Sequence, residues 1–226
     1  MTRFKICCIQ NIEEANLAIR IGASAVGLVS EMPSGPGPIP EDRIAGIVPH
    51  VPPGVATFLL TSKQDAEAII RQQKHTRANI LQIVDAVTVK TYEQLRSGLP
   101  GISLVQVIHV RGKESVEEAR SVAPYVDAIL LDSGNPNLTV KVLGGTGRVH
   151  DWKLSREIVE TSGKPVFLAG GLKAENVREA IESVHPYAVD VCSGVRTNGM
   201  LDRGKLEDFA WTIRKINHEG TKSTKS

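Results

Sequence analysis

Pro165-Val166-Phe167-Leu168-Ala169-Gly170-Gly171-Leu172, followed by Ala188-Val189-Asp190-Val191-Cys192-Ser193-Gly194-Val195, is the stretch on which the reading of this chain turns. Each segment is a short apolar, strand-like run closed by glycine, and residues 174–184 between them have a helical period. Strand, helix, strand in that order is a βαβ unit, the signature of a parallel sheet. The rhythm extends outward from this unit over the whole chain. The other strand candidates are Phe4–Ile9, Ala25–Ser30, Val55–Leu60, Ile80–Val84, Leu104–Val110 and Ala128–Asp132. Helical stretches fall near 12–21, 41–48, 64–74, 89–97, 114–122, 152–162 and 202–217. Eight pairs in 226 residues average about 28 residues each, compact but sufficient for a (β/α)8 TIM barrel. Alternation alone also permits a doubly wound open sheet. No unit carries the G-x-G-x-x-G turn of that fold, so the expectation is a single α/β barrel over residues 1–217. The polar tail 218–226 is read as disordered.

Composition narrows the function. With 27 basic and 25 acidic residues, the net charge of +2 gives no electrostatic footprint for nucleic acid and no polybasic membrane anchor. No apolar run approaches the roughly 18 residues of a membrane span. Met1-Thr2-Arg3-Phe4-Lys5 opens without a signal-peptide pattern, and Cys7, Cys8 and Cys192 form neither an even disulfide framework nor a zinc spacing. A cytoplasmic protein with reduced thiols and no metal is expected.

In a parallel barrel the chemistry gathers at the carboxyl ends of the strands. Strand one ends in Cys7 and Cys8, of which alternation sends one inward and the other toward the helices. Strand six ends in Asp132, which reads either as a turn residue or as an acid. A thiol and a carboxylate at one mouth form a plausible base and acid, each with a pKa tuned toward neutrality. Gly170-Gly171 and Ser193-Gly194 close strands seven and eight, where barrels cradle phosphate on backbone N–H groups. Two long loops share this face. One is Glu31–Pro40. The other, Ser133–Asp151, contains Gly144-Gly145-Thr146-Gly147 and could close over the same anion. His109 and Arg111 end strand five and could reach the mouth. Trp152 and Trp211 read as packing residues.

These residues together resemble a known family. Lys5-Ile6-Cys7 followed by Ile9-Gln10-Asn11 resembles the K-I-C-G-I/L-T opening of the phosphoribosylanthranilate isomerases. The resemblance continues in order through Gly22–Gly27, Leu130-Leu131-Asp132, Gly144–Gly147, Asp151-Trp152, Leu168–Leu172, Asn176-Val177 and Val189–Val195, from residue 3 to about 216. It implies a (β/α)8 barrel performing an Amadori rearrangement of N-(5'-phosphoribosyl)anthranilate in tryptophan biosynthesis, without a cofactor. It places the general base at Cys7 and the general acid at Asp132, with phosphate held at Gly145, Thr146, Gly170, Gly171, Ser193 and Gly194. The expected partner is a small phosphosugar, and the chain could be a monomer or a homodimer.

The departures from the family pattern are specific. Cys8 stands where the family has glycine. Ser34-Gly35-Pro36-Gly37-Pro38 replaces a basic S-K-R-Y-like segment whose arginine contacts the anthranilate end of the substrate. Ile83-Val84-Asp85 replaces L-H-G, and Arg196 replaces the acid common after S-G-V. If the substrate is unchanged, its carboxylate needs another cation, with Arg111, Arg148 and Arg196 as candidates. The alternatives are a related isomerase acting on a different phosphorylated aminosugar, and a sugar-phosphate-binding barrel without catalysis.

Overall fold

A computed structural model of the chain describes residues 1–134 and 151–223, with side chains of the last helix as far as Glu219. The first half runs β1 (Arg3–Ile6), α1 (Ile12–Arg20), β2 (Ala25–Val29), α2 (Glu41–Ile47), β3 (Ala56–Thr61), α3 (Ala66–Thr76), β4 (Ile80–Ile83) and α4 (Val89–Gly98). The second half runs β5 (Ser103–His109), α5 (Glu114–Val122), β6 (Ala128–Asp132), α6 (Trp152–Thr161), β7 (Val166–Leu168), α7 (Val177–Val184) and β8 (Ala188–Val191). A two-stranded hairpin, β9 (Arg196–Thr197) and β10 (Met200–Leu201), precedes the final helix α8 (Arg203–Ser223). The eight long strands close: β1 pairs in parallel with both β2 and β8, with Arg3 opposite Ala188 and Ile6 opposite Val191. That pairing decides for the barrel over the open sheet.

Strand alternation sorts the apolar side chains into two cores. On β6, Ile129 and Leu131 point out to the helices, while Ala128 and Leu130 point into the barrel. Asp132 continues the inward series at the carboxyl end. The barrel interior is narrow and packed, with Phe58 edge-on to Phe167 at 5.5 Å between ring centres. The outer core joins sheet to helices. Leu206, Phe209, Ala210 and Ile213 of α8 lie on one helical stripe, and Phe209 meets Phe4 of β1 edge-on. Helix starts after β1, β3 and β4 are fixed by side-chain caps: Asn11, Asp65 and Thr88 each accept a backbone N–H.

Three expectations change. α8 continues past residue 217 and takes in most of the stretch read as a disordered tail. Polar residues there carry no apolar period to mark an end, and an Arg178–Glu219 ion pair at 2.9 Å ties the extension to α7. Trp211 is 61% exposed, because it falls off the buried stripe of α8, with Lys215 over its ring. Finally, β1 stops at Ile6, and both Cys7 and Cys8 belong to the inner cluster. Cys8 has φ of 62°, and this left-handed turn breaks the alternation that would have sent one of the two thiols outward.

Candidate active site

The carboxyl ends of the strands enclose one cavity, and Cys7 and Asp132 both line it, from the two ends of the β6-β7-β8-β1 arc of the ring. Cys7 is held in register by its backbone N–H, which donates to the Val191 carbonyl at 2.8 Å. One carboxylate oxygen of Asp132 accepts the Ser133 N–H at 2.7 Å, so it has turn bonding and still faces the cavity. Gly170, Gly171 and Ser193 line the same space. Gly170 and Gly171 have φ of 86° and 63°, a turn that presents backbone to the cavity. Gly194 is needed for packing beside them, since a Cβ there would run into the Leu172 carbonyl oxygen. Gly145, Thr146 and Arg148 lie outside the described residues.

The opposite wall is mostly apolar. Val29, Leu60, Val84 and Val107 project from β2–β5, and Met32, Ser34, Gly35 and Pro36 overhang from the loop after β2. Among the described residues, no lysine or arginine lines this cavity. Arg111 is exposed beyond the end of β5 and is not part of the wall. His109 is buried at the end of β5 and does not line the cavity, with Nε2 3.0 Å from the Val84 carbonyl.

Arg196 is a correction. It was a candidate for the substrate carboxylate, but a carboxylate of this chain occupies it. Nη1 and Nη2 each donate at 2.9 Å to an oxygen of Glu14, and only 6% of the arginine side chain is exposed. Helical phase puts Glu14 on the polar face of α1, and the β9–β10 hairpin folds over that face and buries it. Glu14 also accepts from the backbone N–H groups of Gln10 and Leu201. Burial alone would raise its carboxyl, but Arg196 and these N–H donors hold it below the ordinary carboxylate range.

Three further groups escaped the sequence reading. Lys5 is fully buried inside the barrel, its Nζ 2.9 Å from Asp190 and 5.0 Å from the centre of the Phe58 ring. Burial would pull the ammonium down, yet Asp190 and the neighbouring thiols hold it above its usual value, so it stays charged. Gln82 lines the cavity with a buried side-chain oxygen that has no donor among the described residues. Asn176 braces the glycine turn after β7, donating to the Gly171 carbonyl at 3.0 Å and accepting from the Lys173 N–H at 2.9 Å. Strand alternation could have flagged Lys5 and Asp190, which occupy inward positions. The role of Asn176 depends on a loop path that no local pattern encodes.

The thiols are unlike one another. Hydrogen bonds to Cys192 and Cys7, with burial, push the Cys8 thiol well above its ordinary value. The Cys8 bond, reinforced by Arg196, draws Cys192 down despite burial. Cys8 also donates to the Pro36 carbonyl at 3.5 Å, and Gly37 leaves room for it: a Cβ on Gly37 would lie 2.5 Å from that of Cys8. The bulk introduced by Cys8 is therefore absorbed by the loop after β2. Among the described residues, no group of three His, Cys, Asp or Glu side chains is placed to hold a metal, and no helix is long and apolar enough to cross a membrane.

A closed (β/α)8 barrel with a thiol, a carboxylate and glycine turns at its carboxyl mouth falls in the class of (β/α)8-barrel enzymes, whose active sites lie at that face. The sequence profile of the family described as N-(5'phosphoribosyl)anthranilate (PRA) isomerase matches residues 4–211. The chain belongs to that family of isomerases of tryptophan biosynthesis. The N-(5'-phosphoribosyl)anthranilate isomerase of Methanosarcina acetivorans is 36% identical over 94% of this chain and 93% of its own length. The isomerase 2 of Methanosarcina mazei is 37% identical over 92% of each. Among solved structures, the phosphoribosyl anthranilate isomerase of Thermotoga maritima superposes with a TM-score of 0.82 at 29% identity, covering 95% of this chain and all of that one. Another isomerase structure holds reduced 1-(o-carboxyphenylamino)-1-deoxyribulose 5-phosphate, and is 27% identical with a TM-score of 0.79 over 95% of this chain. These relatives favour neither the different-aminosugar reading nor the non-catalytic one.

Proposed function

We propose that the chain converts N-(5'-phosphoribosyl)anthranilate to 1-(2-carboxyphenylamino)-1-deoxyribulose 5-phosphate, with Asp132 as general acid and Cys7 as general base. The observation that carries this reading is the convergence of these two side chains on one cavity beside the glycine turns after β7 and β8. Asp132 donates a proton to the furanose ring oxygen. The ring C–O bond breaks, and the nitrogen lone pair forms an iminium at C1. That cation makes the C2 hydrogen acidic, and the Cys7 thiolate removes it. The electrons released form an enolamine, which tautomerises to the ketone. Backbone N–H groups at Gly170, Gly171, Ser193 and Gly194, with Gly145 and Thr146, hold the phosphate, so the reacting carbons lie between acid and base. With Arg196 occupied by Glu14, the carboxylate of the anthranilate falls to Arg111 or Arg148. Cytoplasmic location and a monomeric or homodimeric state complete the proposal.

The test is turnover of freshly made substrate, followed by loss of anthranilate fluorescence. Cys7→Ser and Asp132→Asn should each lower kcat by about 10² or more with little change in KM. Activity retained in Cys7→Ser would transfer the base to Cys192, because Cys8 is held protonated. An unchanged rate in Asp132→Asn would leave that residue only its turn bond.

A further inference from the structure

The catalytic cysteine of the proposed mechanism sits on a turn where the regular β1 ladder ends, tied to its neighbours by the Cys7 N–H on the Val191 carbonyl and the Ile9 N–H on the Gly27 carbonyl of β2. β1 ends at Ile6, Cys8 is left-handed at φ 62°, and the chain then leaves for α1. A guanidinium reaches across from the next loop to hold this turn. Arg196 Nη2 donates to the Cys8 carbonyl at 2.6 Å and lies 3.4 Å from the Cys7 carbonyl. Its Nη1 donates to the Gly199 carbonyl at 2.9 Å, and both Nη atoms are gripped by Glu14. The Glu14 carboxylate in turn accepts from Gln10, two residues past the thiol turn, and from Leu201 on the hairpin. Arg196 follows directly on the Ser193–Val195 turn, whose first residue lines the cavity. One buried ion pair therefore joins the thiol turn, helix α1 and the loop after β8.

We propose that Arg196, oriented by Glu14, is a positioning residue that fixes the Cys7 turn against the Ser193–Val195 turn, so that seating a phosphate on one aims the thiol of the other. The proposal rests on Cys7 being the base, and it concerns a position where this chain departs from the acid common in the family. A planar fork suits the task, because one face can serve two carbonyls and a carboxylate together. Replacing it leaves the strained turn to weaker braces such as the Cys8 thiol on the Pro36 carbonyl, and small misplacements of a reacting group are expensive in rate.

Arg196→Met and Arg196→Lys should be compared with wild type at a temperature where circular dichroism shows each folded. We expect Arg196→Met to lower kcat about tenfold or more while KM stays within about threefold, since phosphate binding is kept and aim is lost. Arg196→Lys should recover part of the loss, as an ammonium can still bridge carboxylate and carbonyl. The rate of Cys7 alkylation by iodoacetamide, resolved from Cys8 by fragment mass spectrometry, should change in the same order. A kcat within twofold of wild type in folded Arg196→Met would overturn the proposal, whatever its melting temperature. If Arg196→Met does not fold, Glu14→Gln takes its place and should lower kcat less; wild-type kcat there would overturn it equally. Should wild type itself fail to turn over, the isomerase reading falls. The alkylation rates then decide the clamp alone, and equal rates in wild type and variant would reject it.

Discussion

The two halves of the barrel mouth obey different rules. On the side of β1, β6, β7 and β8, polar groups are fixed by named partners: Cys7 by the Val191 carbonyl, Asp132 by Ser133, the glycine turn by Asn176, and the thiol turn by Arg196. On the side of β2–β5 the wall is made mostly of side chains that touch but do not bond, Val29, Leu60, Val84, Val107 and Met32, with Gln82 and Ser34 as its polar members. The first half keeps the family's thiol, acid and glycine turns, and departs from its pattern at Cys8 and Arg196. The second has lost the family's basic loop and histidine. A proton-transfer site of the kind proposed tolerates little displacement, and the backbone hydrogen bonds of this half suit that demand. A wall that recognises an aromatic end by contact and charge can be rebuilt by substitution alone.

The largest expected effect strikes the bonded half from below. Lys5→Met leaves the Asp190 carboxylate buried without its cation and should destabilise the fold by about 3–5 kcal/mol, read from urea midpoints. Because Lys5 is held above its ordinary pKa, its contribution is complete at neutral pH and is lost only as pH rises through that elevated value. Lys5→Met combined with Asp190→Leu should recover most of the loss. A double variant as unstable as the single would mean that packing around Phe58, and not the uncompensated charge, was the source.

Where the halves meet, the expected effect is smaller. Gly37 of the β2 loop lies against Cys8, and its φ of 86° disfavours a side chain whatever the space. Gly37→Ala should cost about 2 kcal/mol in wild type, from backbone strain together with the clash. In a Cys8→Gly background the clash disappears and strain alone remains, so the cycle should show a coupling of about 1 kcal/mol. Additive effects would mean that the loop and the thiol turn are independent, and that the extra bulk of Cys8 is absorbed elsewhere.

The unbonded half offers a sharper question about the substrate. If the anthranilate end lies against it, Met32→Lys restores a cation near the lost one and should lower KM about tenfold, the worth of one charge-assisted hydrogen bond. A KM that rises or stays flat would place the carboxylate elsewhere, on the side of Arg111 or Arg148.

The sequence made the bonded half legible for a physical reason. Strand periodicity dictates that Cys7, Asp132 and the ends of β7 and β8 share one rim, and Asn11 announces its cap locally. What escaped were features set by tertiary path. Glu14 reads as a solvent-facing helix residue until the β9–β10 hairpin covers it, and Arg196 reads as a free cation until Glu14 is found beneath it. The positive φ at Cys8 was foreshadowed by the family's glycine, but that both thiols turn inward was not. Trp211 is exposed because its phase on α8 lies off the buried stripe of Leu206, Phe209, Ala210 and Ile213, which its aromatic character does not announce.

The smallest effect tests the brace of the bonded half through pH. Burial works against the Glu14 carboxylate, and Arg196 with the Leu201 and Gln10 N–H groups outweighs it, leaving the folded carboxyl below its unfolded counterpart. The unfolded chain then binds the proton more readily. The stability that Glu14 contributes is thus fully present above its unfolded pKa of about 4.3 and is lost as pH falls through the lower folded value. Glu14→Gln mimics the protonated side chain at every pH. The gap in melting temperature between wild type and Glu14→Gln should therefore be widest near pH 7, begin to narrow as pH passes below about 4, and nearly close at the acid end of the scan. A gap that stayed constant would show that the carboxylate charge contributes nothing, and that Glu14 holds the thiol turn through its backbone N–H bonds alone.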